Sequence, residues 1–530
     1  MRSVNTYLRS CSPFAVICVI GGLLYAKSLF FGFTYLDDNA LILNNLPFLQ
    51  NIWNVFGAFT HDVFFMAYGT TAYFRPLLTI SFIPEAIIGG AMPFFYHLVN
   101  VGIHLVAACL VYVLFIKLRH TKRLSLFAAL IFLVHPVLAQ AVAWIPGRND
   151  SLLAVFVLAS FIYFLDFINN GEKQKPLIWS LIFLALALFT KETAIVLPVL
   201  CVGYLWVRNR VKRAVLIRLG IGWLCVLALW LPLRSIAMSN PLPLSAAGIV
   251  SAFKENIPGT IPLLGKVFFP FNLSALPVLP DTTFIWGSMA LILVIGIGLF
   301  QMIQKRTARY TRRMMLFGLF WFAAFLLPPF VIADPSGTTY FLEHRLYLPI
   351  IGLLIFIAES FVGKSLDRLT EKVFLIGALS LIFVLSSITF LHQDVFADRL
   401  SFWQNAASHS PHSSLAQKNM GAMYYLDKEY DLAEDYSKKA LILNPEEPMA
   451  HNNLGLIYAS RGQNETAKQE YLAELSFNPY YDSAHYNFGL LYYQMGDFQN
   501  ARKQWEETLQ INPNYIDAIQ ALYSLQTEGK

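Results

Sequence analysis

The chain has 530 residues, of which 56% are hydrophobic and only 14% charged, and its mean hydropathy is +0.52. Such a composition excludes an ordinary soluble globular protein. The net charge of +6 is unevenly shared, because residues 1–410 hold 30 Lys/Arg against 17 Asp/Glu while residues 411–530 hold 9 against 16. A basic membrane part joined to an acidic soluble part accounts for it, and nothing in the balance calls for a nucleic-acid partner.

Apolar stretches long enough to be helices fall near 11–33, 97–116, 124–143, 151–168, 177–189, 193–207, 214–233, 283–303, 314–332, 346–362 and 373–391. They predict about 11 spans. The first is expected to be a retained helix, since no cleavage site follows it. The stretches 177–189 and 193–207 are short and are joined by Thr190-Lys191-Glu192, so full crossing by each is not required. All five cysteines lie inside apolar runs, with neither disulfide nor zinc spacing.

Loops on one side hold 21 Lys/Arg, starting with Arg2 and Arg9 and continuing in clusters at 117–123, 173–175, 208–218, 305–313 and 364–372. The opposite loops hold seven, each isolated: Arg75, Arg148, Lys191, Arg234, Lys254, Lys266 and Arg345. This asymmetry puts the N-terminus in the cytoplasm, and an odd number of spans then puts the C-terminal part outside. The stretch 249–282, whose apolar residues are broken by Lys254, Pro258, Pro262, Lys266 and Pro270, is expected to be an outer-face helix lying on the membrane.

From position 411 the sequence repeats with a period of 34. Gly421, Gly455 and Gly489 recur, as do Ala433, Ala467 and Ala501 and the pairs Asn444-Pro445, Asn478-Pro479 and Asn512-Pro513. This is the tetratricopeptide (TPR) signature, in which small residues let paired helices approach and proline ends each unit. Three full repeats cover 414–515, preceded by a partial one and followed by a capping helix at 516–527. The expected division is therefore a membrane domain at 1–391, a connector and partial repeat at 392–413, and a TPR domain at 414–530. Within the membrane domain, 34–96 forms a first outer, catalytic loop and 234–282 a second long outer loop. A TPR array offers a concave groove to an extended chain. Asn453, Asn487, Tyr424, Tyr458 and Tyr492 are candidates for lining it, with core packing the alternative for the tyrosines.

At the end of the first span stand two adjacent carboxylates, Asp37 and Asp38, where charge is costly. They either cap the following turn or form part of a site. The isolated outer cations sit in short polar motifs: Phe74-Arg75-Pro76-Leu77, Gly147-Arg148-Asn149-Asp150, Lys191-Glu192-Thr193 and Glu343-His344-Arg345-Leu346-Tyr347. A carboxylate pair ringed by single cations suits glycosyl transfer from a lipid phosphate. The acceptor hydroxyl needs a base, and the departing phosphate needs cations rather than an acid. His135 before Pro136 fits a kinked helix better than a metal ligand.

In these segments, taken in order with the TPR array, the chain resembles the transmembrane-and-TPR O-mannosyltransferases, within the GT-C class of glycosyltransferases that use polyprenyl-phosphate sugars. The residues that carry the likeness are Asp37-Asp38, Arg75-Pro76-Leu77, His135-Pro136 through Gly147-Arg148, Lys191-Glu192-Thr193 and Glu343 with Arg345 to Pro349. The resemblance implies an all-α fold, a polytopic transmembrane bundle of GT-C type followed by a TPR α-solenoid. It implies an inverting glycosyltransferase moving a sugar, mannose among the choices, from a polyprenyl- or dolichyl-phosphate donor to Ser/Thr hydroxyls of an exported protein held by the TPR groove. Asp37 is then the base and Asp38 its partner. Arg148, Arg345, Lys191 and Arg75 contact the donor phosphate, and Glu192, Glu343 and His135 support them. Where the family carries an acidic residue between His135-Pro136 and Gly147, this chain has Gln140, which bears on the sugar or acceptor. Whether a divalent metal bridges the phosphate and carboxylate is left open. Short loops and few repeats point to a bacterial inner membrane with the array in the periplasm, the endoplasmic reticulum lumen being its counterpart in a eukaryote. The competing readings are an oligosaccharide transferase or ligase of another membrane class, and a non-enzymatic TPR scaffold for envelope assembly.

Overall fold

A computed structural model describes residues 12–65, 73–209, 212–238, 245–304, 308–331 and 340–527. Arg2, Arg9, Arg210, Lys305 and Arg306 of the basic loops lie outside these residues. The chain divides into two compact units. One comprises Met1–Ala275, Thr282–Ala333 and Phe341–Ser401; the other comprises Leu276–Asp281, Asp334–Tyr340 and Phe402–Lys530. No sheet forms among the described residues, only an isolated bridge between Val278 and Tyr340.

The first unit is a membrane protein body of apolar helices. Among the described residues, seven are long and apolar enough to cross a bilayer: Pro13–Phe30, Pro93–Lys117, Ile145–Asn169, Arg213–Ala237, Ile285–Ile303, Arg309–Val331 and Glu371–Phe396. Two bent pairs, Lys122–Val134 with Pro136–Ala143 and Pro349–Glu359 with Phe361–Arg368, raise the number to nine if each counts as one broken span. The remaining two expected spans are the helices Gln174–Thr190 and Leu197–Arg208. The second alone reaches about 18 Å at 1.5 Å per residue, and the 3-10 turn Glu192–Val196 that runs into it adds about 10 Å, so the two together approach a hydrocarbon core of about 30 Å.

The bend of 54° between Lys122–Val134 and Pro136–Ala143 follows from Pro136, which has no N–H and disfavours helix at His135. The carbonyls it frees are recaptured: His104 Nε2 bonds Leu133 O at 2.9 Å, and Thr389 Oγ1 donates to Val134 O at 2.7 Å. His135 Nδ1 accepts Val137 N, which leaves Nε2 to donate to Val267 O at 2.9 Å. That is the kink-stabilising role expected for it. Elsewhere glycines bring helices together, as small residues do in membranes. A Cβ on Gly318 would lie 2.5 Å from Gly352 O, so Arg309–Leu326 and Pro349–Glu359 meet backbone to backbone.

The stretch 249–282 is not a simple surface helix. Thr260–Phe268 is only nine residues long and packs so tightly on Ile285–Ile303 that a Cβ on Gly265 would meet Gly287 N at 2.6 Å.

The second unit is a helix-pair solenoid. Arg399–His409, which crosses the division of the chain, leads into the pairs Ser414–Leu426 with Tyr430–Leu443, Ala450–Ser460 with Asn464–Phe477 and Asp482–Gln494 with Phe498–Ile511, then Ile516–Thr527. The period of 34 has a direct physical cause. Ala433, Ala467 and Ala501 are fully buried, and a Cβ on Gly421, Gly455 or Gly489 would collide with Ser437, Tyr471 or Trp505 respectively. Each second helix ends before an Asn-Pro pair.

Candidate active site

The site grows from the turn that follows the first span. Tyr35 adopts φ +60°, a left-handed conformation rarely taken by an aromatic residue. The turn is closed by Asp38, which accepts from Thr34 N at 3.0 Å and from Thr34 Oγ1. Thr34 Oγ1 in turn accepts Trp144 Nε1 at 3.0 Å. Asp38 is fully buried and committed to this turn. Its neighbour Asp37 is only half-buried and lines a cavity of about 370 Å³.

Facing Asp37 across the same cavity are Arg75, Lys191, Arg234 and Arg345, together with Glu192 and His344. Segments distant in sequence are tied there by side chains. Glu192 accepts Phe74 N at 2.6 Å and Arg75 Nε at 3.1 Å, pinning the first outer segment to the start of the turn after Gln174–Thr190. Arg75 also lies 4.2 Å from the Tyr73 ring centre. Lys191 holds both oxygens of Asp150 at 2.8 Å, and His344 Nε2 is 3.7 Å from Asp150 Oδ2. Gln140 joins two more segments, accepting His344 N and donating to Ala275 O, both at 3.0 Å. At this position the side chain is therefore a tether.

The electrostatics follow from burial and neighbours. Burial pushes the Asp37 carboxyl up to about 6, Asp38 adds to the rise and Arg75 opposes it. Burial also lowers His344 to about 3, against the attraction of Asp150 and with the repulsion of Lys191, Arg345 and Arg75. It is a neutral imidazole at neutral pH. Lys191 is lowered by burial despite Asp150.

Four expected site residues are not on the cavity wall. Arg148 is fully buried and bonds Glu85 Oε1 (2.6 Å), Asn100 Oδ1 (2.6 Å), Tyr96 O (2.8 Å) and Ser81 O (2.8 Å). All its nitrogens are taken, so the expected donor-phosphate contact from Arg148 is corrected to a structural clamp on the helix Pro76–Gly89. Glu343 is likewise buried and accepts Lys266 Nζ at 2.6 Å and Ser274 N at 2.8 Å. Lys266 is thereby a neutralising partner and not an isolated outer cation. Asp38 and His135 serve the backbone as described. Asp150, His344 and Arg234 were not among the expected site residues. Asp150 and His344 stand inside the same motifs as Arg148, Glu343 and Arg345, and the missing signal was helical phase.

In the solenoid, Tyr458 is buried and donates to Glu434 Oε1 at 2.9 Å. Tyr492 stacks on Phe488 at 4.5 Å, and Tyr424 lies 5.4 Å from Tyr436. These are packing residues first. Asn487 Nδ2 donates to Asn452 Oδ1 at 3.0 Å, and Asn453 and Asn487 are half-buried on the first helices of adjacent pairs.

Residues 87–237 match the family described as dolichyl-phosphate-mannose-protein mannosyltransferase, and residues 436–469, 455–496 and 483–515 match tetratricopeptide repeat families. The Drosophila melanogaster protein O-mannosyl-transferase Tmtc1 is 32% identical over 195 residues, covering 37% of this chain and 22% of that protein. Human protein O-mannosyl-transferase TMTC1 is 31% identical over 214 residues, 37% of this chain and 24% of its own length. Human TMTC4 is 25% identical over 488 residues, 77% of this chain and 64% of its own length. The resemblance to the transmembrane-and-TPR O-mannosyltransferases holds. The chain spans about a fifth of the length of the fly relative and under two thirds of the human TMTC4, so the likeness is of domains in order rather than of whole proteins.

Proposed function

We propose that this protein is a membrane glycosyltransferase, of the mannosyltransferase type that its relatives' names describe. It takes the sugar from a polyprenyl- or dolichyl-phosphate donor and passes it to Ser/Thr hydroxyls of an exported protein. The observation that carries this reading is the cavity in which Asp37 faces Arg75, Lys191 and Arg345.

Asp37 accepts the proton of the acceptor hydroxyl as its oxygen attacks the anomeric carbon. The bond from that carbon to the phosphate oxygen breaks, the polyprenyl phosphate leaves with the electron pair, and the configuration inverts. A carboxylate with its pKa raised to about 6 matches this task near neutral pH. Arg75, Lys191 and Arg345 take up the charge growing on the phosphate. Lys191 has three donors and Asp150 engages two, leaving one for the donor. Glu192 holds Arg75 in position, while Glu343 and His135 support the loops behind the wall. By the charge asymmetry of the loops the solenoid belongs outside, and it presents the acceptor chain through Asn453 and Asn487.

Asp37→Asn, in membranes supplied with lipid-linked mannose and an acceptor peptide, is expected to lose about 10²–10⁴-fold in transfer with normal expression. Unchanged turnover would overturn the base assignment. Cysteine labelling tests the sidedness. Thr60 and Ser460 are exposed, and Thr60→Cys and Ser460→Cys are both expected to react from outside. Protection of position 460 would remove the acceptor-docking role.

A further inference from the structure

Three segments bring one end to the candidate active site and the other to a second cavity. Helix Arg148–Asn169 begins beside Asn149 and ends at Asn169; the segment starting at Glu192 runs through helix Leu197–Arg208; and Arg345 leads into helix Pro349–Glu359. Asn149, Glu192 and Arg345 line the first cavity. Asn169, Arg208 and Glu359 line a second, of about 420 Å³. The helix Arg148–Asn169 separates the two by about 33 Å at 1.5 Å per residue, close to the depth of a hydrocarbon core. The second cavity therefore sits at the opposite membrane boundary and has no part in the site already described.

Its wall carries four cations against two carboxylates, Glu359 and Asp367, and part of its positive charge is not neutralised. Lys117 is paired with Asp166 at 2.5 Å. Asp367 is engaged by Thr121 Oγ1 at 2.7 Å and Arg123 at 3.9 Å. Arg208 and Lys364 instead donate to neutral oxygens, Asn169 Oδ1 at 2.9 Å and Thr311 Oγ1 at 3.2 Å. Arg119 lines the cavity as well, exposed, with its backbone at φ +70°. Against these three cations stands Glu359, which Lys364 attracts and which has His120 at 3.7 Å, so Arg119 and Arg208 remain without a carboxylate among the described residues. The rest of the wall is amphipathic: Tyr204 and Tyr310 beside Leu118 and Leu124. Guanidinium and ammonium donors over an apolar and phenolic wall match a phosphate ester carrying one or two negative charges.

We propose that this cavity binds a phosphate-bearing anion at the membrane face opposite the transfer site. An anionic phospholipid headgroup is the source its apolar wall favours, since such pockets between helices meet headgroups at that depth. The inference is independent of the proposed transferase activity.

The test uses the full chain in nanodiscs of phosphatidylcholine, alone or with a minor fraction of phosphatidylglycerol, followed by native mass spectrometry and thermal melting. Phosphatidylglycerol is expected to stay bound in preference to phosphatidylcholine and to raise the melting temperature. Arg208→Gln with Lys364→Gln is expected to weaken its retention about ten-fold or more. The exposed Arg119→Gln is expected to weaken it alone, with melting in pure phosphatidylcholine unchanged, which keeps the test valid if the double variant folds poorly. Inorganic phosphate is added in a separate arm. A matching rise in melting temperature there, lost in the same variants, supports the phosphate chemistry and assigns a soluble source. Equal retention of both lipids with no response to phosphate, or binding that the variants leave unchanged, overturns the proposal.

Discussion

In the membrane unit, Arg148 has a fully buried side chain and holds Glu85 at 2.6 Å; in the repeat unit, Arg461 holds Asp431 at 2.5 Å and also Glu434 while keeping 23% of its side chain exposed. On paper both are arginine–carboxylate pairs. The first is sealed from solvent and uses every nitrogen, so removing one partner strands a charge in an apolar interior. The second is bathed in water that replaces a lost partner at little cost. The environment, and not the pair, sets what each contact contributes, and substitutions across the two units should scale accordingly.

The largest effect is expected at Arg148. Arg148→Gln leaves Glu85 buried without its countercharge, a loss of about 3–5 kcal/mol by analogy with other broken buried pairs. Thermal melting in detergent or nanodiscs should show it as a large drop or as failure to accumulate. Arg148→Lys restores charge but cannot span Asn100, Ser81, Glu85 and Tyr96 together, so rescue should be partial. Wild-type melting in Arg148→Gln would mean that the clamp is dispensable.

An intermediate effect is expected in the solenoid. A Cβ on Gly489 would fall within 2.6 Å of Trp505 Cδ1, nearer still to its Nε1, and Trp505 is nearly fully buried. Gly489→Ala should cost about 1–3 kcal/mol from overpacking, read as a shift in the unfolding of the repeats by circular dichroism. Gly462, with φ +73° and nothing near its Cβ position, offers a control in which strain alone is tested.

These two positions also show what the sequence made legible. The repeat glycines were readable because a fixed period of 34 marks a contact that recurs, and the spans were readable because hydropathy alone decides them. Asp37, Arg75, Lys191, Glu192 and Arg345 were found as polar residues at the ends of apolar runs, and all five line one cavity. Arg148 was misassigned for a geometric reason. On a helix, residues 148 and 149 point about 100° apart, and of the two only Asn149 faces the cavity. Which one depends on how the helix is rotated against its neighbours, and that is a tertiary fact. The same ambiguity separates Glu343 from Arg345 across one tight turn.

A smaller effect concerns pH. In the proposed reaction Asp37 would act as a base only when ionised, and its carboxyl is raised to about 6. Transfer should therefore climb as pH rises through about 6, with the acid limb well above that of an ordinary aspartate. Arg75 opposes the rise, so Arg75→Gln should move the limb to higher pH as well as slow the reaction. A limb that stays in place in that variant would uncouple the two groups.

The smallest effect is expected at Arg461. Its partners Asp431 and Glu434 are on the preceding pair of helices, and Asp431 is fully exposed. Glu434 has two other donors, Tyr458 Oη at 2.9 Å and Lys438 at 2.6 Å, so it is not stranded when the arginine is lost. Arg461→Gln should cost about 0.2–1 kcal/mol at most, and less in high salt. Tyr458→Phe removes a bond from the buried side of the same carboxylate, and its cost should persist in salt because no ion pair is broken. If Arg461→Gln instead destabilised the repeats as much as Gly489→Ala, the cluster would be a shielded joint between repeats, and the contrast with Arg148 would fail.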